Sequence, residues 1–187
     1  GFDQIGLLGS LGGLTIPNAE AYERLYPVQI DCHEIRCDSG GAGERRGGAG
    51  VHYRAKVFGD VIHSFRSEGL TYSAGFGVGG GLDGAGCSMT LLADGSPVDD
   101  FPRYGKLSVR NPTFDVYSGG GGGWGNPLRR PPQQVLDDVL SGIVSVEAAR
   151  DIYGVVIDEI REAVDEPATA RRRSERAAAG PVAPAAS

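Results

Sequence analysis

Glycine is the residue that most restricts how this chain can fold. The chain has 187 residues, and 31 of them are glycine, which is more than twice the usual share. Many of these glycines lie in clusters, at 38–50, 69–86 and 119–123. The clusters lack a collagen-like period and alternate with segments that contain Val, Ile, Leu, Tyr and Phe. This pattern predicts a folded domain with many tight turns, all-β or α+β in class, and not a disordered chain.

Short segments between the glycine clusters have the alternation that is typical of β-strands. In 51–57 the odd-numbered residues are apolar or aromatic and the even-numbered ones are polar, as a half-buried strand requires. In 26–37 we expect Val28, Ile30 and Cys32 to lie on one side. Further strands are predicted at 61–65, 87–92, 106–110 and 113–117. The predicted fold is therefore mainly β, a glycine-rich barrel or sandwich-like module, with short carboxy-terminal helices.

Helical periodicity replaces the strand pattern after the run of five glycines. One helix is predicted between Pro131 and Gly142, and a second follows, with Ser145 as its amino-terminal cap. A short helix capped by Asn18 and a brief strand at 155–157 complete the pattern. We divide the chain into three parts: a lead-in segment at 1–25 that packs on a partner, a β-rich domain with terminal helices at 26–158, and a flexible Ala/Arg/Pro tail at 159–187.

Charge and cysteine content narrow the class of protein. The formal net charge is -6 and the isoelectric point is near 5.0, which argues against binding to nucleic acid backbones. No segment approaches the ~20 apolar residues that are needed to span a bilayer, so no membrane association is predicted. Three cysteines do not form an even disulfide framework, and we expect a reducing, cytoplasmic location.

None of the short motifs in the chain predicts a catalytic group, so the sequence assigns no catalytic residue. Gly75, Gly77 and Gly80 match G-x-G-x-x-G, but no βαβ unit surrounds them, so a glycine-rich β connection is the better interpretation. His33 and Cys37 lie four apart on a predicted strand, about 13 Å from each other, too far to share a metal ion. We therefore predict no metal site in the chain.

Other polar residues are assigned to packing or to solvent on the sequence alone. The three histidines, His33, His52 and His63, are predicted to be surface or packing residues. The acidic pair Asp137–Asp138 is expected on the solvent face of its helix.

Several glycine-containing motifs occur in an order that resembles one enzyme family. They are 26–28 (YPV), 34–36 (EIR), 38–43 (DSGGAG), 46–50 (RGGAG), 119–127 (GGGGGWGNP) and 144–156 (VSVEAARDIYGVV). Their order and spacing over about residues 15–158 resemble the carboxy-terminal region of the hydantoinase B, 5-oxoprolinase and acetone carboxylase alpha-type family.

The resemblance implies a part of a multisubunit, ATP-dependent enzyme. Chemistries of the family are cyclic amide hydrolysis, as of hydantoins and 5-oxoproline, and bicarbonate-dependent carboxylation of ketones such as acetone or acetophenone. The implied partners are a hydantoinase A-type ATPase subunit and the remaining B-type polypeptide, in a hetero-oligomer. ATP and a divalent metal would be bound elsewhere in the complex and none by this chain alone. The alternative is a non-catalytic assembly subunit of such a complex.

Three residues are predicted to form a substrate or interface wall. Arg45 or Arg46 can clamp a neighbouring carboxylate or a phosphate, while the glycines of the preceding loop supply its turns. Trp124 follows the glycine run and can anchor the segment against another element or another subunit.

Overall fold

The computed structural model describes residues 18–66, 69–73 and 75–179. The elements in chain order are α1 (Ala19–Leu25), β1 (Val28–Ile35), β2 (Val51–Val57), β3 (Asp60–Arg66), β4 (Ser88–Ala93), β5 (Ser96–Pro97), β6 (Tyr104–Arg110), β7 (Pro112–Tyr117), α2 (Pro132–Leu140), α3 (Val146–Asp151), β8 (Ile157–Asp158), β9 (Ala163–Val164) and α4 (Glu166–Ala179). A 3₁₀ turn at Pro127–Arg129 precedes α2. Most of the predicted lead-in segment lies outside the described residues.

Two layers of antiparallel strands form the β part of the molecule. Five strands make one sheet in the order β1-β2-β7-β4-β5, and β3 pairs with β6 in a separate ribbon. The core between the layers contains Phe65 from β3, Val109 from β6, Leu91 from β4 and Phe114 from β7. Since the ribbon covers one face of the sheet, the prediction of a mainly β, sandwich-like module with short carboxy-terminal helices is confirmed.

A β-bulge in β1 changes which side chains reach each face of the sheet. Ile30 pairs with Ala55, but Cys32 pairs with Arg54, so Asp31 is an extra residue in the ladder. A shift of one residue moves all later side chains to the opposite face. The prediction that Cys32 shares a side with Val28 and Ile30 is therefore wrong, because strict alternation cannot show a bulge.

The glycine clusters lie side by side as extended segments that are joined by backbone hydrogen bonds. Gly41 N donates to Gly121 O over 2.8 Å, Gly121 N to Gly48 O over 2.9 Å, and Gly123 N to Leu82 O over 2.9 Å. A Cβ at Gly47 would overlap the carbonyl group of Gly121. The segments pack backbone against backbone at a separation that only glycine permits. The clusters thus form a structural unit, which we call the glycine bundle (39–50, 75–86 and 118–125).

A small helical unit packs against one end of the glycine bundle. Its core is formed by Val135 from α2, Ala149 from α3 and the buried residues Val144, Tyr153 and Val155, together with Ala42 of the bundle. Ser145 caps α3, as predicted, by accepting a hydrogen bond from Ala148 N over 3.0 Å. The brief strand that was predicted at 155–157 begins two residues later, as β8, and pairs with β9.

The pair Asp137–Asp138 corrects the prediction of a solvent-facing acidic pair. Asp137 is exposed, whereas Asp138 is buried and bonded to two arginines, Arg46 and Arg130. Helical periodicity places the two aspartates about 100° apart, so they cannot share one face. The helical pattern does not show this burial, because Arg46 is distant in sequence from Asp138 and Arg130 lies in an irregular segment.

The carboxy-terminal tail differs from the prediction of a flexible segment over 166–179. Here the chain forms α4, in which Thr169 is buried. Arg173 Nη2 donates to Arg130 O over 2.7 Å, and Arg172 Nη2 donates to Asp151 Oδ1 over 2.9 Å. The prediction considered only the small apolar area of the tail, whereas charged side chains hold this helix to the helical unit.

None of the helices in the described ranges combines the length and the apolar character that crossing a bilayer requires.

Candidate functional site

An open cavity of about 680 Å³ lies between the glycine bundle and the helical unit. Its apolar floor comes from Val144, Ala148, Ile152 and Tyr153 of the helical unit. The remaining wall comes from two stretches of irregular chain, at 36–42 and 82–88, and from a loop at its edge, at 69–73. The cavity is large enough for a small organic molecule or for a side chain of a neighbouring polypeptide.

Arg36 and Asp38 are two of the three charged residues that line the cavity, with Asp83 as the third, and both are bonded to the backbone. Arg36 Nη1 donates to Gly86 O over 2.8 Å and to Ser118 O over 3.2 Å. Asp38 has a left-handed backbone conformation, with φ of 57°, and its Oδ1 accepts from Ser145 N over 2.8 Å. The bonds of Arg36 link the end of β1 to the glycine bundle, and the bond of Asp38 links this segment to the start of α3. Together they hold the cavity wall in place.

The G-x-G-x-x-G match at 75–80 does not have the geometry of a nucleotide site. A phosphate cradle needs backbone N–H groups that point to the ligand. Here Gly75 N donates to Ser73 Oγ over 3.2 Å, Gly77 N to Asp83 Oδ1 over 2.6 Å, and Val78 N to Gly123 O over 2.9 Å. Because these donors are already bonded within the protein, the described residues of this loop do not fit a dinucleotide or ATP phosphate.

A second group of polar side chains lies on the outer face of the five-stranded sheet. Cys32 and Glu34 come from β1, His52 from β2 and Asp115 from β7. Cys32 Sγ lies 3.2 Å from His52 Nδ1, and Glu34 Oε1 lies 3.3 Å from the same nitrogen. On the other side of the ring, His52 Nε2 lies 2.8 Å from Asp115 Oδ1. We call these four residues the Cys–His cluster.

The electrostatics of the Cys–His cluster follow from its carboxylates. The hydrogen bond to Asp115 raises the pKa of His52, against the opposing effect of burial, and Glu34 adds to the increase. Desolvation raises the pKa of the Cys32 thiol, and the neighbouring Glu34 raises it further. The cluster therefore favours positive charge at its centre.

The three residues that were predicted to form a wall, Arg45, Arg46 and Trp124, do not line the cavity. Arg45 and Trp124 are paired through their backbones, with both N–H···O distances at 2.9 Å. The indole of Trp124 is left at the surface, where the residue is 54% exposed. Their role as a substrate or interface wall stays a prediction.

Arg46 is buried and binds a carboxylate, as one of the alternatives for this arginine predicted. Its Nη2 lies 3.2 Å from Asp138 Oδ1, and its Nη1 donates to Gly47 O over 2.7 Å. Arg130 Nη2 binds the other oxygen of Asp138 at 2.8 Å. One carboxylate thus ties the glycine bundle, the 3₁₀ turn and α2 together.

Sequence reasoning missed the Cys–His cluster. The sequence pattern draws attention to His33 and Cys37, which lie too far apart on a strand to share a metal ion, and in the structure neither residue belongs to the cluster. A signal was present, since Cys32 and Glu34 are two apart on a predicted strand and must share a face. Their convergence with His52 and Asp115 depends on the order of three strands, which local pattern does not reveal.

The other two histidines lie among aromatic rings. The His63 ring is 4.4 Å from that of Phe65 and 4.4 Å from that of Phe114, and burial lowers its pKa. His33 meets Tyr53 edge-on at 5.6 Å. These contacts agree with the predicted packing role of both residues.

Comparison with known proteins gives a consistent set of similarities. A family model described as hydantoinase B/oxoprolinase matches residues 7–127. The chain is 35% identical to the caprolactamase subunit beta of Pseudomonas jessenii, over 93% of this chain and 31% of that protein. It is 28% identical to the acetone carboxylase alpha subunit of Xanthobacter autotrophicus, over 83% of this chain and 25% of that protein.

A solved structure supports the similarity in three dimensions. The crystal structure of ATP-dependent caprolactamase from Pseudomonas jessenii aligns with a TM-score of 0.56 and 35% identity, over 87% of this chain and 29% of that chain. In each comparison the chain spans about a quarter to a third of the longer protein.

Proposed function

The chain belongs to the hydantoinase B/oxoprolinase family, and from this membership we propose that it serves as one part of a multisubunit, ATP-dependent enzyme that hydrolyses cyclic amides. The observation that carries the proposal is the 35% identity to a caprolactamase subunit over 93% of the chain. A lactam is a cyclic amide, and the similarity extends through the sheet, the glycine bundle and the helical unit.

The partners in this proposal are a hydantoinase A-type ATPase subunit and the remaining B-type polypeptide. The chain spans 31% of the caprolactamase subunit, so a complete B-type unit needs further sequence. ATP, and the divalent metal that acts with it, are assigned to those other parts, since the glycine-rich loop at 75–80 does not fit a nucleotide. The free cysteines in the described residues are consistent with a cytoplasmic complex.

The role proposed for this chain is to shape the interface with its partners and one wall of the substrate site. Trp124 and the neighbouring Val78 and Phe76 expose apolar side chains at the surface of the glycine bundle. Exposed aromatic residues on a rigid backbone are typical anchors of protein interfaces. Arg45, which is paired with Trp124, lies where it can contact the carboxylate or phosphate of a ligand or a partner.

A second reaction is supported by the similarity to acetone carboxylase. That protein is 28% identical over 83% of this chain, so bicarbonate-dependent carboxylation of a ketone, such as acetone or acetophenone, is the alternative chemistry. In that case the enzyme would be a ligase, not a hydrolase. The two reactions differ in whether ATP consumption requires bicarbonate.

The experiment is to purify the complete complex and measure ADP or AMP release with each class of substrate. Lactams, hydantoins and 5-oxoproline are tested without bicarbonate, and ketones are tested with and without it. ATP consumption with a cyclic amide supports the proposal, whereas consumption that requires both a ketone and bicarbonate supports the alternative. Lack of substrate-dependent ATP consumption in the intact complex would reject both.

A non-catalytic assembly subunit is separated from this proposal by substitutions. Trp124→Ala and Arg45→Ala lower turnover per assembled complex if the chain forms part of the active-site wall. If they change only subunit association, the chain is an assembly subunit. Ile160→Ala is the matched control, since Ile160 is also exposed but lies in the turn between β8 and β9.

A further inference from the structure

We propose that Cys32, Glu34 and His52 form a binding site for one zinc ion, and that Asp115 holds the histidine ring in the orientation that binds it. A sulfur, a nitrogen and a carboxylate oxygen from these three residues all lie within 4.8 Å of one another. They come from two adjacent strands whose backbones are paired, with Glu34 directly opposite His52. The site is thus built on rigid elements and not on loops.

The distances between the ligand atoms agree with the edges of a zinc tetrahedron. With Zn–S near 2.3 Å and Zn–N near 2.0 Å, tetrahedral angles give S···N of about 3.5 Å and N···O of about 3.3 Å. The structure has 3.2 Å between Cys32 Sγ and His52 Nδ1, and 3.3 Å between His52 Nδ1 and Glu34 Oε1. Glu34 is largely exposed, so its side chain can rotate to complete the third edge.

The histidine ring is oriented for a ligand at Nδ1. A carboxylate can only accept a hydrogen bond, so the contact between His52 Nε2 and Asp115 Oδ1 at 2.8 Å places a proton on Nε2. In the neutral ring this leaves the lone pair of Nδ1 directed between Cys32 Sγ and Glu34 Oε1. A carboxylate that binds the distal nitrogen is the usual support of a zinc-bound histidine. A cation at this point satisfies all three donor atoms together.

Two further features fix the site. The rings of His52 and Tyr117 stack at 4.1 Å with an interplanar angle of 5°, which restricts rotation of the imidazole. The bulge at Asp31 turns Cys32 and Glu34 to the face that carries His52. Bulges often direct a side chain into a functional site. Without this extra residue, Cys32 would lie on the opposite face.

The charge and the type of the donors select the ion. A thiolate with an imidazole and a carboxylate suits zinc better than magnesium or calcium, which prefer oxygen alone. Asp115 and Asp31 add negative charge, and Arg54 contacts both, at 3.7 and 3.9 Å. Three protein ligands leave a fourth position for water or for a donor from a neighbouring polypeptide.

The test is metal binding by the full chain after treatment with a chelator and a reductant. We expect one Zn²⁺ per chain in competition with a chromophoric indicator. We also expect Co²⁺ to give a thiolate-to-metal charge-transfer band. Cys32→Ser removes the band, and His52→Gln lowers the affinity. Asp115→Asn keeps the band but lowers the affinity about 10–100-fold.

Cys37→Ser and His33→Asn are the matched controls. Both residues are close in sequence to the cluster, but neither contributes a ligand atom to it. Both controls should bind zinc and cobalt like the parent protein, and circular dichroism shows whether each variant is folded. The proposal is overturned if the parent gives no saturable binding or no charge-transfer band. It is also overturned if folded Cys32→Ser retains the band, or if Cys37→Ser loses it.

Discussion

At the residue scale, Asp138 shows how one buried charge organises several segments. Its two carboxylate oxygens are bound separately, by Arg46 at 3.2 Å and by Arg130 at 2.8 Å. Arg130 is 1% exposed, so water cannot replace a lost partner easily. If one of these three residues is removed, the buried charges that remain are no longer fully paired, and they lie in a region of low dielectric constant.

Arg46→Ala should therefore destabilise the protein by about 2–4 kcal/mol in the free energy of unfolding, measured by denaturant titration. Arg130 still binds Asp138, so the effect should stay below that of removing Asp138 itself. Arg45→Ala, at a less buried neighbour, is the control and should change the value by less than about 0.5 kcal/mol. Equal effects of the two substitutions would show that the buried ion pair is not what stabilises this region.

His63 should make the stability depend on pH. Burial among Phe65 and Phe114 keeps its folded-state pKa below the unfolded value, so the unfolded chain binds a proton more readily. The contribution of the neutral His63 side chain to the free energy of unfolding is complete above the unfolded-state pKa of about 6.5. It is lost as the pH falls below that value. In His63→Leu, the loss of unfolding free energy between about pH 7.5 and about pH 5.5 should be smaller than in the parent protein. A loss of the same size in both proteins would contradict this prediction.

At the scale of elements, the glycine bundle depends on contacts between backbones. Its segments are neither helix nor strand, yet they hydrogen-bond to one another in the way that strands do. Side chains are excluded from the space between them, since a Cβ at most of the inner glycines would overlap a carbonyl group of the next segment. The sheet and the helical unit both attach to this bundle, through Arg36 and through Asp38.

Gly122→Ala should be strongly destabilising, because its Cβ would overlap the carbonyl group of Phe76. We expect a loss of at least about 3 kcal/mol, or failure to fold, measured by thermal unfolding and by soluble yield. Gly86→Ala is the matched control from the same bundle: its Cβ would lie 3.6 Å from Gly69 O, an ordinary contact. That variant should remain within about 1 kcal/mol of the parent. If Gly122→Ala were as stable as Gly86→Ala, the close packing of the bundle would not determine its stability.

Helix α4 is attached to the rest of the molecule through polar contacts of its arginines. Arg173 donates to carbonyl groups of Tyr153 and Arg130, over 3.2 and 2.7 Å. Partial burial opposes the charge of this arginine and lowers its pKa, and the two carbonyl contacts compensate for the water that the half-buried guanidinium loses.

Arg173→Met should release α4 while keeping the length of the side chain. We expect faster amide hydrogen exchange in 166–179, with little change in β2 and β7. Arg171→Met is the control, because Arg171 lies on the exposed side of the same helix. Unchanged exchange in α4 of Arg173→Met would contradict the proposed anchoring role.

At the scale of the whole molecule, the lengths of the relatives and the surface of the described residues support the proposal that the chain is one part of a larger enzyme. It covers 31% of the caprolactamase subunit and 25% of the acetone carboxylase subunit that it matches. Its cavity is open, and large apolar side chains such as Trp124 and Phe76 are exposed. Surfaces of this kind are typical of proteins that associate with partners.

The purified chain alone should therefore show no ATP-dependent hydrolysis of a lactam, and addition of the ATPase subunit and the rest of the B-type polypeptide should restore it. Trp124→Ala should weaken the association by at least about tenfold, measured by analytical ultracentrifugation or titration calorimetry. Ile160→Ala should associate like the parent. Turnover by the isolated chain would refute the proposal that it is one part of a larger enzyme.

The sequence by itself determined the family, the mainly β class and most of the individual elements. The ordered series of motifs indicates the family, and the glycine clusters between alternating segments indicate the β class. The individual elements follow from local signals such as the alternation within 51–57 and the cap at Ser145. Tertiary structure alone decided the bulge at Asp31, the burial of Asp138 and the docking of α4. Each of these depends on partners that are distant along the chain, and no local period records which segments will meet. The Cys–His cluster is of the same kind, since it exists only because β2 pairs with both β1 and β7.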